Sequence, residues 1–138
     1  MDQGTHIGQG IIREWLYDGK IIAYRGVTPT RAAIDIWVAD VQTALDGLAN
    51  DQKLYVMNDL TAAPMMMTPY AQQALRQLSQ YKSSRQGATA LILKPSPATV
   101  LLRAFMSTIA HERFHPHIFF RPDDGLKWLQ KQLSPLPA

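Results

Sequence analysis

A single α/β domain with a mixed sheet is the fold class this sequence predicts, and three observations predict it. Residues 11–26 carry a strong β-hairpin signal. Three later apolar runs, too short for helices, alternate with segments of helical period. Several of those helical segments open on a hydroxyl residue followed by proline. The order that results is β-β-α-β-α-β-α-β-α, which implies helices packed on a mixed sheet with right-handed crossovers. The 138 residues are expected to form one domain, with a core over about residues 10–133 and short tails at both ends.

Each element has its own reason. In the hairpin, Ile11 to Tyr17 and Lys20 to Gly26 are rich in β-formers, and Asp18-Gly19 between them suits a type I′ turn, whose two central residues need positive φ. Ile34, Trp37, Val38, Val41, Leu45 and Leu48 then recur at three- and four-residue steps, the stripe of an amphipathic helix, with Asp35, Asp40, Gln42 and Asp46 on its water side. Thr28-Pro29 or Thr30 marks its start. Lys53 to Leu60 reads as a strand buried on both faces, and a loop from Thr61 to Met67 leads to a second helix opening at Thr68-Pro69. Ala71, Ala74, Leu75, Leu78 and Tyr81 form that helix's apolar face. Ala88 to Leu93 is a further near-continuous apolar strand. Ser96-Pro97 opens a third helix bearing Val100, Leu101, Ala104, Phe105 and Ile109, and His117 to Arg121 is a last strand. A final helix starts at Pro122-Asp123-Asp124 and carries Leu126, Trp128, Leu129 and Leu133. At the helix starts the hydroxyl caps an orphan N–H, and proline has no N–H to lose.

Composition narrows the function classes. With no cysteine, disulfides, thiolate metal sites and a cysteine nucleophile are excluded. No apolar run reaches the roughly 18 residues of a membrane span, the N-terminal residues do not read as a secretory leader, and a cytoplasmic protein is expected. The formal charge of +3 is uneven: residues 1–52 hold four Lys/Arg against seven Asp/Glu, and residues 53–138 hold ten against four. Between Asp59 and Glu112 there is no acidic residue, while Arg76, Lys82, Arg85, Lys94 and Arg103 fall in that window. Arg76 and Arg103 are the candidate contacts for an anionic partner. The dense basic and aromatic interleaving of a nucleic-acid module is missing, so nucleic acid is not expected as a partner.

Catalytic signals are sparse. His111, His115 and His117 cluster, but Pro116 disfavours helix at His115 and no acidic ligands converge on the group, so no metal is expected. Asp59 ends a strand at the edge where α/β sheets place ligands, yet no base or second carboxylate is paired with it by spacing; loop capping suits it better. Gly-rich phosphate loops, Gly-x-Ser-x-Gly and His-Glu-x-x-His are absent. No enzyme activity and no cofactor are expected. Met65-Met66-Met67 is the most unusual run, and methionine serves both adaptable binding surfaces and core filling.

Three stretches together resemble the STAS family, the anti-sigma factor antagonist or SpoIIAA-like domains. They are the hairpin and long helix over 11–50, the strand end Asn58-Asp59-Leu60-Thr61, and the close Phe119-Phe120-Arg121-Pro122-Asp123-Asp124-Gly125-Leu126-Lys127-Trp128-Leu129. The resemblance implies a non-catalytic regulatory or interaction module that binds a partner protein or itself, as a homodimer. In antagonists of this family the loop after the third strand ends in Asp-Ser-Ser-Gly, whose serine is phosphorylated. The matching stretch here is Met67-Thr68-Pro69-Tyr70, with Met67 in place of the aspartate and Pro69 at the phosphoacceptor, which argues against the same phospho-switch. The candidate partner or ligand surface is then Asp59, Thr61, Met65, Met66, Met67, Thr68 and Tyr70. A second reading stays open beside the first: a carrier of a small apolar or amphipathic anionic, lipid-like ligand, in a pocket bounded by Met65–Met67, Tyr70 and Leu102 or Phe105.

Overall fold

The computed structural model describes residues 4–49, 51–62, 68–97, 99–101, 103–104 and 116–133. Six strands form one sheet in sequence order. They are β1 (Thr5–Gly8), β2 (Ile11–Leu16), β3 (Ile21–Arg25), β4 (Leu54–Asp59), β5 (Gln86–Ile92) and β6 (Pro116–Phe119). The first three run antiparallel, and β3 to β6 run parallel. The helices are α1 (Arg31–Asp46), α2 (Pro69–Gln80), α3, helical at residues 97, 99–101 and 103–104, and α4 (Pro122–Leu133).

The hairpin forms as its turn chemistry dictates. Asp18 and Gly19 both take positive φ, at 57° and 78°, and the Lys20 N–H donates to the Tyr17 carbonyl at 3.2 Å. Tyr17 also sits at positive φ, so the ladder stops at the Leu16–Ile21 pair. One strand precedes the predicted hairpin: β1 pairs antiparallel with β2 through Thr5–Arg13 and His6–Ile12, then bulges before Gly8. At four residues, two of them exposed and ending on glycine, it has too few alternating positions to show a period.

Helix starts follow the caps. Thr68 Oγ1 accepts from the Ala71 N–H at 3.1 Å, with Pro69 as the first helical residue of α2. On α1 the cap is Thr30, accepting from the Ala33 N–H at 3.2 Å, and Thr28-Pro29 lies outside the helix. Of the two starts offered by the sequence, Thr30 wins because it stands at the correct offset from the free N–H groups.

The two faces of the sheet are covered unequally. On one, α1 and α2 bury Ile22, Tyr24, Val56 and Leu91 against Trp37, Val41, Leu45, Leu75 and Leu78. On the other, among the described residues, α4 covers Ile21 and Ala90 with Leu129, Leu126 and Trp128. This corrects the expectation for β4: Leu54, Val56 and Asn58 are buried, whereas Tyr55, Met57 and Asp59 on the α4 side are half-buried. Gly125 is what lets α4 sit low, since a Cβ there would lie 2.6 Å from Ile92 Cδ1.

Asp40, expected on the water side of α1, instead accepts from Arg13 Nη1 and from the Tyr24 hydroxyl, each at 2.7 Å. Burial first, and the Asp40 hydrogen bond second, hold the Tyr24 hydroxyl protonated far above the ordinary tyrosine range. A pKa raised on folding stabilises fully below the unfolded value, about 10, and that contribution is lost as pH rises through the folded value. Urea unfolding followed from pH 8 to pH 11 should therefore show the wild type losing stability above about pH 10, and a Tyr24→Phe variant losing less. Equal slopes for the two proteins would remove Tyr24 from the account.

Candidate functional site at the C-terminal edge of the parallel strands

All four parallel strands end at one edge of the sheet, and the N-termini of α1 to α4 follow from it. This edge is where open α/β sheets place binding sites. At the end of β4 the Asp59 carboxylate folds back on its own turn: Oδ1 accepts from the Thr61 N–H at 3.0 Å and from the Thr61 hydroxyl at 2.6 Å. Both residues are thereby engaged in shaping the chain. One residue earlier, Asn58 points into the core, where Oδ1 accepts from Trp37 Nε1–H at 3.0 Å.

Across the edge, the start of α2 is tied to α1. The Tyr70 hydroxyl donates to Asp35, and the Arg31 guanidinium lies 4.5 Å from the Tyr70 ring centre. The Asp35 hydrogen bond raises the Tyr70 pKa. At the far end of the same two helices the Tyr81 hydroxyl donates to Asp46 at 2.7 Å. Both pairs are 35 residues apart in sequence, so the parallel helices are held together at both ends. Lys82 Nζ also reaches Asp46 Oδ1 at 2.7 Å.

Asp46 therefore has a pKa below its usual value, because of Lys82 first and Tyr81 second. A carboxylate of this kind stabilises above its unfolded pKa, about 4, and the contribution is lost as pH falls through the folded value. We expect Asp46→Asn to lower stability at pH 7 and the difference from wild type to shrink as pH falls below the unfolded value, read from urea midpoints. A difference that persists unchanged in acid would mean that Asp46 acts through something other than its charge.

The structure brings Thr68 and Tyr70 together, with Asp35 and Arg31 as neighbours the sequence reading missed. Met65, Met66 and Met67 lie outside the described residues, as do His111, His115, Leu102 and Phe105. His117 stacks on Trp128, with ring centres 4.2 Å apart. Among the described residues no group of three or more His, Asp or Glu could hold a metal. Two of the five basic residues of the window bond to the acidic half. Lys82 pairs with Asp46, and Arg85 donates to the carbonyls of Ala49 and Gln52. Arg76, Lys94 and Arg103 are exposed.

The same edge carries an apolar surface that no charge signal announced. Val100 and Leu101, in the first turns of α3, are 69% and 65% exposed, although their sequence pattern reads as a core stripe. By contrast, the described interior is tightly filled. The two voids under α2, of about 30 and 20 Å³, are each of water size, far below the several hundred Å³ of a ligand pocket.

A mixed sheet with an antiparallel edge, three crossover helices opening at one side and a closing helix on the opposite face defines the architecture. No family model matches the chain, and no curated protein matches it by sequence. Among solved structures it is similar to an uncharacterised protein of the DUF3478 family with a SpoIIAA-like fold from Shewanella loihica PV-4. The two are 17% identical, with 94% of this chain and 98% of that chain covered and a TM-score of 0.63. The chain has a SpoIIAA-like fold. No helix among the described residues is long and apolar enough to cross a membrane.

Proposed function

We propose that this chain is a non-catalytic, cytoplasmic interaction module that docks a protein, a second copy or a different chain, on the α2–α3 side of the strand edge. The observation that carries the reading is the exposure of Val100 and Leu101, adjacent apolar side chains at a helix start, 69% and 65% open to solvent. Apolar surface left open at the binding edge of an α/β sheet suits a macromolecular contact. In sequence Met65–Met67 immediately precede Thr68, the cap of α2, and methionine adapts well to a partner's surface. Asp59, Thr61 and Thr68 are spent on turn and cap hydrogen bonds, which supports a shaping role for them and leaves recognition to the apolar residues.

Light scattering on the purified chain tests this reading together with Leu101→Asp. A mass of about twice 15.5 kDa that falls to one chain mass in the variant supports a second copy as the occupant. A monomer that recruits a defined partner chain, and loses it on Leu101→Asp with circular dichroism unchanged, supports a different protein. Association that survives both Val100→Asp and Leu101→Asp would contradict the reading.

A further inference from the structure

At the opposite end of the sheet, away from the proposed docking edge, lies the largest cleft described, of about 680 Å³. Its size is within the range of small-molecule sites, unlike the voids in the core. One wall is the Trp15 indole, 43% exposed at the end of β2, and the floor is the half-buried Ala44 and Leu48 of the α1 side, lying over the fully buried Ile22 and Leu54. Lys20 and Lys53 stand on it at the starts of the neighbouring strands β3 and β4.

The charges sort into two groups. Arg13 is neutralised by Asp40 at 2.7 Å. Lys20, Lys53 and Asp51 have no ionic partner among the described residues. Asp51 follows the C-terminus of α1, whose carbonyl end also repels an anion. A bound anion is therefore driven to the lysine side, and the apolar remainder of a ligand to the indole and the floor.

We infer that this cleft is a binding site for a small aromatic carboxylate, its ring against Trp15 and its carboxylate held by Lys20 and Lys53. Three parts of the lining then act at once: a flat apolar wall, an apolar floor, and two ammonium groups with no ionic partner among the described residues. Each ammonium is exposed and contributes modestly, so affinity is set mainly by ring burial and the charges set orientation and selectivity.

Three tryptophans give three indole N–H signals in a nitrogen–proton correlation spectrum. Trp37 is bonded to Asn58 and Trp128 is stacked on His117, so both serve as internal controls for folding. Titration with cinnamate is expected to move the Trp15 signal saturably, with half-saturation below about 1 mM. Cinnamyl alcohol, the same ring without the charge, should bind at least about fivefold more weakly, and acetate should not move Trp15 at all. Trp15→Leu and the double variant Lys20→Gln with Lys53→Gln should each weaken cinnamate about tenfold, followed on the Gly19 and Gly47 amides with the Trp37 and Trp128 signals unchanged. Three results would each overturn the proposal: no saturable shift at Trp15, equal binding of the alcohol and the acid, or unchanged cinnamate affinity in both variants.

Discussion

Replacing Trp37 with alanine is expected to lower the free energy of unfolding by about 3–5 kcal/mol, the largest loss of any single side chain in this core. Trp37 sits on α1 at 6% exposure, against Val56 and Leu91 of the sheet and Leu75 of α2, so its removal leaves a void under two helices at once. The two small voids already flanking it share its ring as a wall and would merge with the new space. A second cost is polar. Asn58, 1% exposed, loses the indole N–H that its Oδ1 accepts. The two costs separate in a simple series. Trp37→Phe keeps most of the volume but leaves Asn58 unpaired, which costs about 1–3 kcal/mol. Adding Asn58→Leu removes the unpaired group and should recover part of that loss. Urea midpoints at constant slope measure the series. If the double variant is no better than Trp37→Phe alone, the Trp37–Asn58 hydrogen bond is not what the phenylalanine loses.

The second large effect is expected at Gly26, where β3 turns toward α1. Its φ is +83°, and a Cβ built there would stand 2.4 Å from the carbonyl oxygen of Gly10. Unlike the Gly125 contact, which meets the end of an isoleucine, this one meets backbone, so the turn before β2 must move. The left-handed conformation alone costs about 1–3 kcal/mol for a non-glycine residue, and the collision adds to it. Gly26→Ala should therefore destabilise by about 3 kcal/mol, with the β1 and β2 amides losing exchange protection first. A midpoint within error of wild type would show that the β1–β2 turn is free to shift.

The fold was legible where the determinants are local. Asp18-Gly19 sets its turn through backbone conformation, and Thr68-Pro69 sets its cap through neighbours three residues away. The resemblance in the residues near Asn58 and in the Phe119–Leu129 close pointed to the SpoIIAA-like fold that the structural likeness shows. What stayed hidden depends on which elements end up side by side. The Tyr70–Asp35 and Tyr81–Asp46 pairs exist because β4 separates two parallel helices by a constant offset, which no short window contains. Asp40 reads as solvated along α1 and is paired because β2 and β3 bring Arg13 and Tyr24 beneath it. The charge asymmetry of the sequence has the same origin in part: Lys82 from the basic half closes on Asp46 from the acidic half.

The candidate site divides along the same line. Asp59, Thr61 and Thr68 could be placed from sequence, since each acts within three residues of itself. Val100 and Leu101 could not, because an apolar pair on a helix reads the same whether it faces a core or a partner.

Docking of another protein on the α2–α3 side of the strand edge can be read from a photo-activated crosslinker carried at position 101. A second variant carries the same group at position 127, on the exposed side of α4 on the other face of the sheet. A discrete protein adduct is expected from position 101, of self or of one defined partner, and none from position 127. Equal labelling from both positions, or no adduct from position 101 while the chain is folded, would contradict it.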